Sequence, residues 1–216
     1  MAKIRKLSLV DQTYQRIRED ILQLRLPLGS HINVNDIQEE LGVSSTPLRE
    51  ALNRLQQEGL VVIENNIGAS VLTLDAHDVE EIEELSFVLQ SAAVRFSLAR
   101  GDRERMAADI AEEIAHYRSA RSGQESVSAV FGLIGTFYHY SGNQRLDSSM
   151  LAIQGEVLLL RYIYAECPGS RSNADLLERM LSGVRENKAD KVLEALQEYN
   201  RRSRPAILAW LEQHQG

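Results

Sequence analysis

The sequence contains one cysteine, Cys167, among its 216 residues. A single thiol excludes an intramolecular disulfide and any metal site built from several thiolates. No apolar run approaches the length that crosses a membrane, and the first residues lack the apolar core of a signal peptide. We therefore expect a soluble cytoplasmic protein.

Motifs that carry catalysis are also missing. The chain has no phosphate-binding glycine loop, no HExxH and no GxSxG, and Cys167 stands in a predicted loop without a paired histidine motif. The acidic run from Glu80 to Glu84 is typical of a solvated helix face. We predict that the protein is not an enzyme and needs no cofactor.

Positive charge is scarce, since the formal net charge is -7. Residues 1–60 nevertheless hold eight Lys/Arg and eight Asp/Glu, and the chain begins with the basic cluster Lys3, Arg5 and Lys6. A neutral region can bind DNA only through a few well-placed arginines, which a second subunit would double. Charge alone leaves nucleic-acid binding open.

The first third of the chain combines helical and strand patterns. Helical periodicity occurs in three short segments: 9–26, 34–41 and a third that begins at Ser44-Ser45-Thr46-Pro47, where hydroxyls and proline are typical of a helix start. Two β-prone segments follow, 60–64 and 69–74, separated by the hairpin signal Asn65-Asn66-Ile67-Gly68. This order predicts a winged helix-turn-helix over residues 1–75.

From residue 76 onward only helical periodicity returns. The predicted helices cover 76–100, 102–121, 125–140, 144–165, 171–187 and 189–214. The sequence therefore predicts a mainly α protein, in which the winged helix-turn-helix is followed by an all-helical domain over residues 76–216.

The third helix carries the residues best suited to contact DNA. Ser44, Ser45 and Thr46 lie at its N-terminus, where amides and hydroxyls suit a phosphate. Arg49, one turn later, can reach a phosphate or a guanine edge, and the hairpin tip can enter the minor groove. The alternative is that these residues only cap the helix and that Arg49 pairs with a neighbouring glutamate.

Residues 9–74 resemble the winged-helix domain of the GntR family of transcriptional regulators. The resemblance rests on the stretch from Leu41 to Leu52, then Arg54-Leu55, Glu58-Gly59-Leu60, Gly68 and Val71. Together with the residue pattern it predicts these DNA contacts: Asn35, Ser44, Ser45, Thr46, Arg49, Arg54, Asn65, Asn66 and Gly68. The family usually has arginine where this chain has Ser45, so we expect an altered operator or weaker binding.

Residues 76–214 resemble, less specifically, the helical domain of the FCD (FadR C-terminal domain) subgroup of that family. The resemblance implies an antiparallel helical bundle that binds an effector and dimerises. It also implies an Asp and three His that hold a metal, and here those positions fall at Val130, Ile134, Leu177 and near Tyr199 or Asn200. Aliphatic side chains have no lone-pair donors, so we predict no metal in this domain.

The apolar residues of the helical domain can line an effector cavity or simply pack as its core, which is the commoner role of such residues. The predicted lining combines residues at i, i+4 and i+8 of one helix with three from later helices: Val130, Ile134, Tyr138, Leu177, Leu181 and Asn200. Arg161, within an apolar run, is the candidate to hold a carboxylate. The alternatives for Arg161 are an ion pair with Glu156 or Glu166, or plain exposure.

These expectations combine into one functional hypothesis. We predict a sequence-specific DNA-binding regulator, expected to be a repressor, whose homodimer binds a palindromic operator. A small metabolite controls it, an organic acid being one candidate. The alternative is a helical protein-interaction module with a vestigial winged helix and no effector.

Overall fold

The computed structural model describes residues 8–214, so the basic cluster Lys3, Arg5 and Lys6 lies outside the described residues. The described chain divides into two compact units. The first extends to Leu74 and includes Gln154–Glu156, and the second comprises Asp75–Ile153 and the residues from Val157 onward.

The first unit consists of three helices and a hairpin: α1 (Leu9–Leu22), α2 (Val34–Leu41), α3 (Ser45–Gln57), β1 (Val61–Glu64) and β2 (Gly68–Val71). Ser8 and Asp11 form a capping box that starts α1. Gly42 ends α2 with a left-handed φ of 62°, a conformation that glycine adopts without strain. α1 ends four residues earlier than predicted, because the backbone turns left-handed at Leu24.

The hairpin is antiparallel, and its turn is the predicted one. Val61 pairs with Val71 and Glu64 with Gly68, which leaves residues 65–67 as the connection. A short third segment joins this sheet, because the Ile32 amide donates to the Ala69 carbonyl and the Val71 amide to the Ser30 carbonyl. This segment is too short to show strand periodicity, so the sequence did not predict it.

A buried polar cluster joins α1 to the end of α3. Glu58 is 8% exposed; its Oε2 accepts a hydrogen bond from the Tyr14 hydroxyl at 2.7 Å, and its Oε1 pairs with Arg18 at 2.6 Å. Burial raises the pKa of Tyr14, and the hydrogen bond to Glu58 raises it further. The cluster holds α3, the predicted recognition helix, against α1.

The second unit is entirely helical in the part that the structure describes: α4 (Ala76–Arg100), α5 (Arg103–Ser119), α6 (Gly123–Ser141), α7 (Gln144–Leu151), α8 (Gln154–Glu166), α9 (Ala174–Arg185) and α10 (Ala189–His214). The single helix predicted over 144–165 is wrong, because the chain leaves helical geometry at Ile153. The unit therefore has seven helices in the described residues rather than six. Gly155 lies two residues after Ile153 but inside α8, and the apolar periodicity continues on both sides, so the pattern did not show the break.

The first half of α8 is buried on all its faces. Val157, Leu158, Leu159 and Leu160 are all buried, so four consecutive positions, which point in different directions around a helix, face neighbouring side chains. None of the helices in residues 8–214 is both long and apolar enough to traverse a lipid bilayer.

Candidate DNA-binding surface and internal cavity

The N-terminus of α3 is open to solvent. Ser44 occupies the N-cap position, but its hydroxyl does not cap the amides of the first turn, which corrects the predicted hydroxyl cap. The Ser45 hydroxyl instead accepts a hydrogen bond from Gln38 at 3.0 Å, and Thr46 is exposed. The first turn of α3 thus presents backbone amides and hydroxyls that can bind a phosphate.

Arg49 differs from the other arginines of the first unit. Residues 8–74 contain no lysine and five arginines, and four of them form ion pairs: Arg16, Arg18, Arg25 and Arg54. Arg49 is exposed, and it alone among the five forms no ion pair within the described residues. The alternative that Arg49 pairs with a neighbouring glutamate is therefore wrong for the described chain.

Arg54 is held against α1. Its Nη1 lies 2.8 Å from the Asp11 carboxylate, and its Cζ lies 4.1 Å from the centre of the Tyr14 ring. These contacts engage the guanidinium, so we expect Arg54 to add less to DNA affinity than Arg49. Asn53, which is exposed one turn after Arg49, was missed as a candidate although its i+4 spacing places it on the same helix face.

The remaining predicted DNA contacts are also exposed. Asn35 lies near the start of α2, Asn65 and Asn66 lie in the hairpin turn, and Gly68 is the first residue of β2. Gly68 has a φ of 119°, and a Cβ at this position would come within 2.7 Å of the His31 ring, so the turn requires glycine. The tip of the hairpin also contains Ile67, which is 69% exposed. The sequence pattern did not predict an exposed apolar side chain at this position.

The second unit encloses a cavity of about 30 Å³. Its wall comprises residues from six helices: Gln90, Val130, Phe131, Ile134, Met150, Val157, Arg161, Met180, Leu196, Tyr199 and Asn200. Four predicted ligand residues meet there, namely Val130, Ile134, Arg161 and Asn200. The other lining residues were missed, because only packing between helices distant in sequence brings them together.

Three predicted cavity residues, Tyr138, Leu177 and Leu181, are buried but lie outside the wall, which corrects that assignment. Eight residues advance an α-helix by a net ~80°, so Tyr138 does not share the direction of Val130. The Tyr138 hydroxyl is buried and has no hydrogen-bond partner within residues 8–214. Burial, with a contribution from Asp147, raises the pKa of Tyr138 well above its usual value.

Arg161 reaches the cavity from α8 and is only 9% exposed. Its Nη2 donates to Asn200 Oδ1 at 2.8 Å and its Nη1 to the Ser203 hydroxyl at 3.1 Å, while its Cζ lies 4.7 Å from the centre of the Tyr199 ring. The alternatives of exposure or an ion pair with Glu156 or Glu166 are both wrong, since these contacts are neutral and internal.

Within residues 8–214, no three His, Cys, Asp or Glu side chains are grouped so that they could hold a metal ion. Cys167 is buried, its Sγ donates to the Ile163 carbonyl, and burial raises the pKa of this thiol. A thiol in that environment is a poor nucleophile.

Comparisons with known proteins bear on both units. Residues 9–71 match the model of the bacterial regulatory proteins of the gntR family. An uncharacterised HTH-type transcriptional regulator, BphR of Paraburkholderia xenovorans, is 33% identical over 45% of this chain and 40% of its own length. The chain spans less than half of the first curated relatives.

Two longer matches extend into the helical unit. One is the "probable D-xylose utilization operon transcriptional repressor" of Paenarthrobacter nicotinovorans. It is 27% identical to this chain over 69% of this chain and 64% of its own length. The solved structure of E. coli McbR/YncC has a TM-score of 0.77 at 17% identity, covering 98% of this chain and 100% of that one. The predicted fold class, mainly α with an N-terminal winged helix and a C-terminal helical domain, is confirmed.

Proposed function

We propose that this chain, whose N-terminal unit matches the gntR-family regulators, is a sequence-specific DNA-binding transcriptional regulator of the cytoplasm. The observation that carries the proposal is Arg49. It is the one arginine of residues 8–74 without an ion pair in the described chain, and it follows the open N-terminus of α3 by one turn. A free guanidinium beside exposed amides can bind a phosphate or the edge of a guanine.

The proposal includes a homodimer on a palindromic operator. One copy offers a single unpaired arginine in its described N-terminal unit, so two copies are needed to build a sufficient set of phosphate contacts. Two-fold symmetry then requires two half-sites of opposite orientation. α4 exposes Leu85 and Val88 at 48% and 63%, one turn apart on one face, and we assign this face to the second copy.

The helical unit supplies the regulation in this proposal. We assume two conformations of the protein that differ in their affinity for DNA. A small molecule in the cavity shifts the balance between them only as far as it binds one conformation more tightly than the other. We propose repression released by the ligand, in keeping with the repressor from Paenarthrobacter nicotinovorans among the relatives. The FCD subgroup of the family is the assignment proposed for this unit.

The decisive experiment is fluorescence anisotropy with a labelled duplex from the region upstream of the gene. Wild type should bind tightly and saturably, and Arg49→Ala should weaken binding by ~1–3 kcal/mol. Arg25→Ala removes the same charge from an ion-paired site near the end of α1, and should leave the affinity nearly unchanged. This control separates a specific contact from a general loss of positive charge.

The opposite result favours another class of function. If wild type and Arg49→Ala bind the duplex equally weakly, and no better than random DNA, the winged helix does not read that sequence. The alternative of a helical protein-interaction module with a vestigial winged helix would then replace the regulator.

A further inference from the structure

The cavity of the second unit contains a buried cation without an anion. Arg161 contacts only the neutral groups of Asn200, Ser203 and Tyr199, and it forms no ion pair within residues 8–214. The buried carboxylate of Glu83 is already paired with another arginine, Arg204, at 2.6 Å. A buried charge that lacks a counter-charge carries a large desolvation cost, and an anionic ligand would remove it.

A second polar group faces the same cavity. Gln90 of α4 is 6% exposed and lines the cavity wall, yet its side-chain amide makes no hydrogen bond within the described residues. Buried amides are ordinarily satisfied, as the buried Asn173 is by the Tyr164 hydroxyl and the Ser170 carbonyl. The Gln90 amide can both donate and accept, so it suits a neutral polar group of a ligand.

The rest of the wall is predominantly apolar and limits the size of a ligand. Val130, Ile134 and Leu196 are aliphatic, and the volume is about 30 Å³, which has room for about two water molecules. A ligand of several atoms requires side chains to move. Met150 and Met180 line the cavity, and their unbranched side chains adapt readily.

We infer that this cavity binds a short aliphatic monocarboxylate that carries one neutral hydrogen-bonding group, with Arg161 holding the carboxylate and Gln90 the neutral group. The wall has one cation, so a second carboxylate would be buried without a partner. The inference rests on the proposed function only in treating this ligand as the effector. Binding itself requires no DNA.

Isothermal titration calorimetry on the full chain without DNA tests the ligand class. The probes are 2-hydroxybutyrate, 2-oxobutyrate, butyrate, butyramide and succinate. We expect saturable binding of 2-hydroxybutyrate or 2-oxobutyrate, with butyrate at least ~10-fold weaker and with no binding of butyramide or succinate. If neither substituted acid binds, or if butyramide binds equally well, the inference is overturned.

Two variants then test the assigned residues. Gln90→Leu should keep butyrate binding and bring the affinities for the substituted acid and for butyrate to nearly the same value. Arg161→Met should lose all carboxylate binding, whereas Arg95→Met, which removes an exposed arginine, should lose none. An unchanged preference in Gln90→Leu would disprove the role of that residue, even if Arg161→Met failed to fold.

The outcome is separable from that of the regulator proposal. DNA binding that depends on Arg49, without carboxylate binding, would overturn this inference and leave the regulator intact. Carboxylate binding with the expected selectivity, but with no effect on any duplex, would support the ligand class and remove its role as the effector.

Discussion

At the scale of single residues, the ion pairs determine which charges are available. Arg16, Arg18 and Arg25 are engaged by carboxylates of the first unit, so they contribute little positive potential toward DNA. Arg49 has no such partner in the described chain, and Arg161 has only neutral ones. Arg49 is therefore distinguished by its lack of an ion pair among the arginines of residues 8–74, and Arg161 by its burial beside neutral partners only.

The carboxylate of Glu58 gives a prediction on stability. Glu58→Ala leaves Tyr14 and Arg18 without their acceptor in a partly buried site, so the variant should lose about 1–3 kcal/mol. Hydrogen exchange of peptides from α1 and α3, read by mass spectrometry, measures this loss within the first unit.

The matched control for Glu58 is Glu40→Ala, in the same unit. This substitution breaks the ion pair between Arg16 and Glu40, whose side chains are 47% and 60% exposed. Exposed pairs contribute little, so stability should change by less than ~0.5 kcal/mol. Equal losses in the two variants would contradict a special role for the Glu58 cluster.

At the scale of elements, capping residues determine where helices begin. Asp75 accepts hydrogen bonds from the amides of His77 and Asp78 at the start of α4, and the Asp78 carboxylate accepts one from the Asp75 amide. This capping box starts α4, a helix whose bounds the sequence predicted correctly at both ends, 76–100. A local signal of this kind acts over four residues and needs no tertiary contact.

The same cap predicts a pH dependence. The hydrogen bond from the Asp78 amide, followed by that from His77, lowers the pKa of Asp75 below its usual value of 3.8. Above its usual pKa, ionised Asp75 therefore makes its full contribution to the stability of the folded state. That contribution is lost as the pH falls through the lowered pKa of Asp75 in the folded protein. Asp75→Ala should unfold at lower urea than wild type at pH 7, and the difference should shrink below pH ~4.

Urea unfolding followed by the fluorescence of Trp210 measures this effect, because the single tryptophan lies in α10 of the same unit. Asp75→Asn serves as the control, since its amide oxygen can still accept the capping bonds while it cannot ionise. A gap between wild type and Asp75→Ala that stays constant from pH 7 to pH 3 would show that ionisation of Asp75 does not contribute.

At the scale of the whole molecule, DNA binding by an acidic chain depends on assembly. The formal charge of -7 opposes association with phosphate unless the basic groups of two copies act together. The proposed contact face on α4 can be tested with Val88→Glu, which places a charge at a side chain that is 63% exposed. We expect this variant to be monomeric by size-exclusion chromatography with light scattering, and to bind the duplex at least ~10-fold more weakly.

Leu151→Glu is the matched control for that surface. Leu151 is also an exposed apolar residue, at 59%, but it lies on α7. This variant should remain dimeric and bind DNA as wild type does. A monomeric wild type, or dimers of both variants, would reject the α4 face as the contact between copies.

The sequence by itself determined the order and type of the elements, apart from the break between α7 and α8 and the short segment that joins the sheet. Gly42 at the end of α2, the Ser44–Pro47 start of α3 and the Asn65–Gly68 turn act through backbone conformation within a few residues, so they are readable without a structure. The periodicity of the apolar residues likewise determined that the chain after residue 75 is helical.

Only the tertiary structure decided which polar groups lack a partner and which of them lie together at the cavity. Gln90, Arg161 and Asn200 come from α4, α8 and α10, and no local pattern connects positions so far apart. The sequence likewise does not distinguish Arg54 from Arg49. In the structure Arg54 forms an ion pair with Asp11 of α1, whereas Arg49 forms none within the described residues. Ion pairs and cavities depend on distances across the fold, whereas caps, turns and periodicity depend on neighbours along the chain.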